Sequence, residues 1–221
     1  MANTLESRNL TMLMDFYELS MANGYFANGM KDQIAYFDMF FRKVPDNGGF
    51  AIMAGLRQLV DYLKNLKFTQ KDLELFRRKG FNEDFIEYLK NFKFTGDIYA
   101  IPDGTVVFPN EPIITVRANM IEAQIIETAL LTNFNHGSLV ATAAKRITDA
   151  AEGIPVMEFG ARRARGMESA VEASKYAYVG GCCGTSNVLA GMKYDIPVMG
   201  TMAHSLVSAE DSEYEAFLNY A

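Results

Sequence analysis

The sequence predicts a mixed α/β fold in two parts: a small α+β domain over residues 1–119, and a second part over residues 120–221 that contains parallel βα units. Two observations carry this prediction. Residues 96–117 contain three short β-like runs separated by Pro- and Gly-containing turns, which is typical of a small β unit. From residue 154 onward, strand-like and helical segments alternate at intervals of about 20 residues, which favours parallel βα units. Right-handed crossovers would curl such units into a barrel or a doubly wound sheet.

Helical periodicity and capping residues define the helices of the first part. Thr11 is expected to cap the first helix, Thr69 is followed three positions later by Asp72 as in a capping box, and Asn82 is expected to cap another helix. The aromatic-rich run at 33–44 is typical of a strand. The predicted elements are helices at 10–28, 56–66, 69–79 and 82–92 and strands at 33–44, 50–53, 97–101, 105–108 and 113–117.

The second part opens with two helices rich in Ala, Ile and Leu, at 120–132 and 138–151. Asn135-His136-Gly137-Ser138 between them is typical of a turn with Ser138 as the next cap, so a structural role is expected for His136. The segments that follow are predicted strands at 154–159, 178–182 and 196–200, helices at 164–175 and 185–193, and a last helix from about residue 208. Three parallel strands do not close a barrel, which needs about eight, so we expect a truncated chain with an incomplete barrel.

Composition narrows the class of protein. The formal net charge of −6 disfavours nucleic acid as a partner. The two cysteines, Cys182 and Cys183, are adjacent and the two histidines are far apart, which disfavours a disulfide framework or a structural zinc site, and no metal ligands are predicted. Residues 1–9 are polar and no uncharged apolar run reaches about 18 residues, so neither a signal peptide nor a membrane span is expected. A cytoplasmic enzyme fits these limits.

Side chains suited to chemistry follow each of the three predicted parallel strands, where the reactive groups of such folds lie. Three arginines in four residues at a helix start oppose the helix macrodipole, so an anionic ligand is expected to compensate them, with solvated charges as the alternative. Thr185 and Ser186 suit either a helix cap or an anion site at a helix N-terminus. The candidates are Arg162, Arg163 and Arg165 after the first strand, Thr185 and Ser186 after the second, and Thr201 and His204 after the third.

Five motifs, in order, resemble those of nicotinate phosphoribosyltransferases, and the resemblance covers essentially the whole chain. They are residues 11–22 (TMLMDFYELSMA), Phe41-Arg42-Lys43-Val44-Pro45 with Ala54-Gly55-Leu56, Ser138-Leu139-Val140-Ala141-Thr142, Glu158-Phe159-Gly160-Ala161-Arg162-Arg163-Ala164, and Gly200-Thr201-Met202-Ala203-His204-Ser205. The resemblance implies a small α+β sandwich domain joined to an irregular α/β barrel, the type II phosphoribosyltransferase architecture. It also implies that nicotinate and phosphoribosyl pyrophosphate are joined into nicotinate mononucleotide and pyrophosphate for NAD salvage, with Mg²⁺ and coupled hydrolysis of ATP, in a homodimer.

The same resemblance assigns roles to residues of this sequence. His204 is similar to the histidine that ATP phosphorylates. Tyr17, from the other subunit, and Phe159 resemble the two rings that enclose nicotinate, and Thr201 resembles a further nicotinate contact. Arg162 and its neighbour Arg163 are expected to bind phosphate groups.

Ser186 bears on the choice of substrate. The related nicotinamide enzymes carry an aspartate at the aligned position, where a carboxylate accepts amide protons and repels the carboxylate of nicotinate. Serine at a helix N-terminus favours the acid, so Ser186 is expected to contact nicotinate. The alternatives are a nicotinamide or quinolinate phosphoribosyltransferase, and a non-catalytic remnant that serves in dimerisation or binding. Because remaining barrel strands are expected to bind much of the phosphoribosyl pyrophosphate, the 221-residue chain alone is expected to be inactive.

Overall fold

The helices and strands of the first part lie close to their predicted positions. The computed structural model describes residues 9–221, so the polar segment before Asn9 lies outside the described residues. The elements of this part are α1 (Phe16–Ala27), β1 (Ile34–Met39), β2 (Ala51–Ile52), α2 (Leu56–Asn65), α3 (Gln70–Arg78), α4 (Glu83–Lys90), β3 (Asp97–Ala100), β4 (Val106–Val107) and β5 (Ile114–Asn119).

Two of the three predicted caps are confirmed. Thr69 and Asp72 form a reciprocal capping box at the start of α3, and the side chain of Asn82 accepts hydrogen bonds from two backbone N–H groups of α4. The predicted cap at Thr11 is wrong, because α1 begins five residues later at Phe16. The buried hydroxyl of Thr11 instead accepts a hydrogen bond of 2.8 Å from the backbone N–H of Lys67. This contact with a distant segment occupies the hydroxyl that was expected to cap the helix.

Strands of the first part form two antiparallel sheets around one core. The strand order of the larger sheet is β1-β5-β3, and β2 pairs with β4. Along β5 the residues alternate between buried and half-buried, which places one face on the core. The rings of Phe76 and Phe85, from α3 and α4, are fully buried in this core.

The second part consists mainly of helices around short parallel strands. Its elements are α5 (Met120–Ile125), α6 (Glu127–Ala150), β6 (Met157–Glu158), α7 (Met167–Val179), β7 (Gly184–Thr185), α8 (Val188–Tyr194), α9 (His204–Ala209) and α10 (Glu213–Tyr220), with a 3-10 turn at Ala161–Arg163. Ile121, Ile125 and Phe134 join the core of the first part, and the division of domains at residue 119 stays a prediction. None of the helices described over residues 9–221 has the length and apolarity needed to cross a bilayer.

The turn predicted at residues 135–138 is wrong, because α6 runs through it without interruption. Gly137 serves close packing instead. A Cβ at this position would lie 2.6 Å from the carbonyl oxygen of Ala54. The hydroxyl of Ser138 is buried and accepts a hydrogen bond of 3.2 Å from the backbone of Ala54. Glycine and serine at these positions therefore hold α6 against the segment after β2.

The second predicted parallel strand, at 178–182, is also wrong. α7 continues to Val179, and the strand is β7, two residues beyond the predicted segment. The end of α7 packs directly on α6, since a Cβ at Gly180 would lie 2.3 Å from the carbonyl oxygen of Ala141. The run that predicted a strand thus comprises the last two residues of α7 and the turn that follows them.

The last predicted elements are displaced as well. Of the predicted strand at 196–200, only Val198 forms a parallel bridge, with Thr185. The helix predicted from about residue 208 begins instead at Glu213, because the side chain of Ser212 caps it through the backbone of Glu215. Residue 208 lies within α9, one residue before its end.

One buried carboxylate joins α1 to the start of α6. Oε1 of Glu18 accepts hydrogen bonds from the backbone N–H of Thr128, at 2.8 Å, and from its hydroxyl. Oε2 is buried without a hydrogen-bond partner in the described part of the chain. Burial raises the pKa of Glu18 to about 7, against the opposing effect of the two Thr128 hydrogen bonds.

Glu18 is therefore expected to make stability depend on pH. The folded-state pKa of Glu18 lies above its ordinary value. Its contribution to the free energy of unfolding is therefore complete below about pH 4.5 and is lost as the pH rises to about 7. Between pH 5 and pH 8, the parent should lose about 2 kcal/mol of unfolding free energy relative to Glu18→Gln in urea denaturation. The exposed Glu74→Gln control should stay within about 0.5 kcal/mol of the parent at both pH values. Parallel pH curves for the parent and Glu18→Gln would contradict this assignment.

Two helical glycines should respond in opposite ways to alanine. Gly137→Ala introduces the clash with Ala54, so we expect a loss of about 2 kcal/mol or more in the free energy of unfolding. Gly24 in α1 has open space around the corresponding Cβ position, so Gly24→Ala should stabilise by up to about 1 kcal/mol through helix propensity. Urea denaturation measures both, and equal effects at the two sites would rule out the packing role of Gly137.

Candidate functional site

The ends of β6 and β7 and the bridged Val198 lie side by side. β6 and β7 pair in parallel, with Glu158 opposite Thr185, and Thr185 is bridged in parallel to Val198. Backbone hydrogen bonds continue this alignment, from Ser186 N to Glu158 O at 3.0 Å and from Met199 N to Thr185 O at 3.1 Å. The segments that begin at Phe159, Ser186 and Met199 therefore leave one edge of the same short sheet.

The carboxylate of Glu158 connects the segments at this edge, although Glu158 was not among the predicted site residues. It accepts hydrogen bonds from the hydroxyl of Thr185 at 2.6 Å, from the hydroxyl of Ser174 at 2.8 Å, and from the backbone N–H of Gly160. One side chain thus joins β6, β7 and α7. The sequence feature that could have identified Glu158 is a carboxylate at the last residue of a strand, directly before Phe159.

Arg162 and Arg163 lie in the 3-10 turn after β6, and both side chains are exposed. Neither guanidinium is paired with a carboxylate within residues 9–221. They do not begin α7, which starts at Met167 after Gly166. The helix macrodipole therefore gives no reason to expect an anionic ligand beside these two arginines. The feature that favours such a ligand is instead a pair of adjacent, exposed cations at the end of the strand.

Ser186 directly follows β7 and is half-buried. Its backbone N–H is already bonded to Glu158, so its hydroxyl is the group left to meet a ligand. Of the two interpretations of Thr185 and Ser186, the helix cap is excluded, because Asn187 caps α8 through the backbone of Ala190. Thr185 is fully buried and accepts a hydrogen bond of 3.0 Å from the backbone of Asn187.

Thr201 and His204 belong to the third segment. Thr201 is exposed in the loop after Val198, and His204 is the exposed first residue of α9. Both lie within six residues of the bridged Val198. The three segments thus leave the same edge of the short sheet, while the meeting of Arg162, Ser186, Thr201 and His204 at one site stays a prediction.

Tyr17 lies on α1, in the first part of the chain, with 44% of its surface exposed. Its hydroxyl donates a hydrogen bond of 2.8 Å to Glu127, which raises the pKa of Tyr17 to about 12. Across the described residues, its ring makes no contact with the ring of Phe159. That Tyr17 and Phe159 share one site, with Tyr17 supplied by another subunit, stays a prediction.

A separate cleft of about 340 Å³ lies between α2, α6 and α7 and contains none of the seven predicted site residues. Gln58 lines this cleft, and its side-chain amide donates a hydrogen bond of 2.7 Å to Glu172 and accepts one of 3.0 Å from Lys175. His136 lines the cleft with its ring edge-to-face on Tyr176. These contacts tie α2 and α6 to α7, which agrees with a structural role for His136.

No metal centre is formed by the described residues. Over residues 9–221, no three histidine, cysteine or acidic side chains are grouped so that they would hold a metal ion. The described residues thus offer no group of three such ligands to the Mg²⁺ that the resemblance implies.

Comparisons with known proteins identify the family of this chain. Residues 12–135 match the family model of the nicotinate phosphoribosyltransferase N-terminal domain, and residues 154–220 match that of the nicotinate phosphoribosyltransferase family. Nicotinate phosphoribosyltransferase pncB2 of Mycobacterium tuberculosis is 44% identical over 95% of this chain and 45% of its own. The Bacillus subtilis nicotinate phosphoribosyltransferase is 46% identical over 96% of this chain and 44% of its own.

Solved structures show the same fold. Human nicotinic acid phosphoribosyltransferase superposes with a TM-score of 0.82 at 36% identity, over 89% of this chain and 40% of the human one. Nicotinate-nucleotide pyrophosphorylase from Pyrococcus furiosus has a TM-score of 0.78 at 24% identity, over 100% of this chain and 50% of its own, and shows the fold alone. This chain, which spans about 45% of the length of its bacterial relatives, belongs to the nicotinate phosphoribosyltransferase family.

Proposed function

We propose that this chain forms the nicotinate-binding part of a nicotinate phosphoribosyltransferase, which joins nicotinate to phosphoribosyl pyrophosphate with coupled hydrolysis of ATP in NAD salvage. One observation carries the proposal. The segments that bear Phe159, Ser186 and His204 leave a single sheet edge, in a chain 44% identical to a nicotinate phosphoribosyltransferase over 95% of its length.

The proposal includes the architecture of the whole protein. Residues 1–119 form the α+β sandwich domain, and residues 120–221 supply the first strands of a type II phosphoribosyltransferase barrel. This architecture is supported by the parallel pairing of β6 with β7 and of β7 with Val198, in the order in which they follow one another along the chain. The protein works in the cytoplasm as a homodimer, in which each subunit lends Tyr17 to its partner.

The reaction asks the protein mainly to position two reactants. The bond between ribose C1 and the pyrophosphate breaks early and leaves a cation-like sugar, and the pyridine nitrogen attacks from the opposite face. Phe159 and the partner's Tyr17 enclose the flat ring of nicotinate, and Thr201 contacts it. Arg162 and Arg163 bind phosphate oxygens, for which two unpaired guanidinium groups are well suited. Such positioning accounts for much of the rate enhancement in reactions of this kind.

Ser186 selects the acid over the amide. Its free hydroxyl donates to the carboxylate of nicotinate, while an aspartate at this position would repel that carboxylate and accept from an amide. The nearby backbone N–H groups of Ser186 and Asn187 are engaged by Glu158 and Thr185. Selection therefore rests on the side chain at position 186.

The substrate assignment is tested by pyrophosphate release from the product of the complete reading frame with nicotinate, nicotinamide and quinolinate. We expect turnover with nicotinate, and Ser186→Asp should lower kcat/KM for nicotinate by at least about tenfold through charge repulsion. Gln70→Asp, which adds the same charge at the exposed first residue of α3, should change kcat/KM less than about twofold. Wild-type turnover with nicotinamide or quinolinate alone would overturn the assignment.

His204 is the proposed site of phosphorylation by ATP. A phosphorylated histidine at the start of α9 adds negative charge beside the strand ends, where Arg162 can pair with it. The sequence contains two histidines, so His136→Ala is a matched control.

Incubation with γ-labelled ATP should therefore give an acid-labile label in the wild type and in His136→Ala, and none in His204→Ala. The loss should accompany uncoupling of ATP hydrolysis from nicotinate mononucleotide formation, because the charge that orders the site is removed. Label retained in His204→Ala, or lost in His136→Ala alone, would show that His204 is not the acceptor.

A further inference from the structure

We propose that Glu158 is a positioning residue, which sets the distance between the ring of Phe159 and the hydroxyl of Ser186 and thereby the preference for the acid over the amide. The inference rests on the proposed function, because it assigns both side chains to the nicotinate site. Glu158 itself is not proposed to touch nicotinate.

The contacts of Glu158 reach both sides of the site. Oε1 accepts from the backbone N–H of Gly160, which closes the turn around Phe159. Oε2 accepts from the buried hydroxyl of Thr185, at 2.6 Å, immediately before Ser186. The two segments that carry the proposed ring and hydroxyl are thus tied to the same carboxylate group.

The backbone of Glu158 adds a second tie. Its carbonyl oxygen accepts the N–H of Ser186 at 3.0 Å, and Thr185, bonded to the carboxylate, also holds the N–H of Asn187. Glu158 therefore holds both Thr185 and Ser186. A shift of its side chain should then move the Ser186 hydroxyl relative to Phe159.

Ser174 anchors the carboxylate from outside the site. Its hydroxyl, on the buried side of α7, lies 2.8 Å from Oε2 and 3.0 Å from the carbonyl oxygen of Ala170. Loss of this donor leaves Oε1 bonded to Gly160 and Oε2 bonded to Thr185, but removes the tie between Glu158 and α7. Ser174 therefore offers a milder perturbation of the same network.

An ionised carboxylate is the group that suits three donors, since it presents only acceptors. In Glu158→Gln, the amide oxygen can face the fixed N–H of Gly160, which turns the NH₂ group toward Thr185 and Ser174. The Ser174 hydroxyl has an alternative acceptor in Ala170, whereas the buried Thr185 hydroxyl loses its acceptor. We therefore expect the Thr185–Ser186 side of the site to shift while the chain still folds.

Glu122 provides a matched control of the same construction. It is 3% exposed and accepts hydrogen bonds from Thr95 N at 2.7 Å, Thr95 Oγ1 at 2.8 Å, Gly96 N at 3.1 Å and Asn119 Nδ2 at 2.7 Å. It ties α5 to the segment before β3, and none of its hydrogen bonds involves a residue of the proposed site. Glu122→Gln should therefore reproduce a loss of stability without the effect on substrate choice.

The experiment compares kcat and KM for nicotinate and for nicotinamide in the product of the complete reading frame, with urea denaturation in parallel. Displacement of one binding group by about 1 Å costs up to about 100-fold in rate. For Glu158→Gln we expect KM for nicotinate to rise about tenfold, and the ratio of kcat/KM for nicotinate to that for nicotinamide to fall about tenfold. Glu122→Gln should lower stability and keep that ratio within about twofold of the wild type. The ratio does not depend on the fraction of folded enzyme, so a merely structural role leaves it unchanged.

Each outcome separates this inference from the proposed function. Wild-type turnover of nicotinate, with an unchanged ratio and KM in folded Glu158→Gln, would overturn the positioning role and leave the proposed function standing. A wild type without nicotinate turnover would overturn the proposed function itself. If Glu158→Gln does not fold, Ser174→Ala decides: a rise of about threefold in KM for nicotinate together with a lower ratio is expected, and wild-type values for both would refute the inference.

Discussion

The parallel alignment of β6, β7 and Val198 is the constraint on which the candidate site depends. Each of the two strands is only two residues long, so their backbone hydrogen bonds supply little stabilisation by themselves. Side-chain and packing contacts complete the alignment. The Glu158 carboxylate joins both strands to α7, and a Cβ at Gly184 would lie 2.7 Å from the carbonyl oxygen of Pro197, so only glycine allows this approach.

α6 connects this sheet edge to the first part of the chain. Its beginning contributes Phe134 to the core of the first part, and further along Ala141 packs beneath α7. At its start, Thr128 holds Glu18 of α1, next to the exposed Tyr17. One uninterrupted helix therefore fixes α1 and α7 relative to each other, which matters if the two halves of a nicotinate site come from different subunits.

Charge at the candidate site is arranged asymmetrically. The anionic Glu158 is enclosed by protein donors, while Arg162 and Arg163 are exposed and free of carboxylate partners in the described chain. The internal negative charge thus serves the protein's own geometry, and the external positive charge is available to a ligand. This division fits an anionic substrate held beyond the strand ends.

The sequence by itself determined the approximate positions of the first-part elements, the capping box of α3, the alternation of strands and helices, and the residue types that follow the strand ends. These features are local, since periodicity, caps and turn residues act within a few positions along the chain. Only the tertiary structure decided that Gly137 lies within a helix, that residues 178–179 end α7, and that Thr11 binds Lys67. In each case a contact with a distant segment overrides the local preference. The same reason explains Glu158, whose role depends on Ser174 and Thr185, brought to it by folding from 16 and 27 residues away.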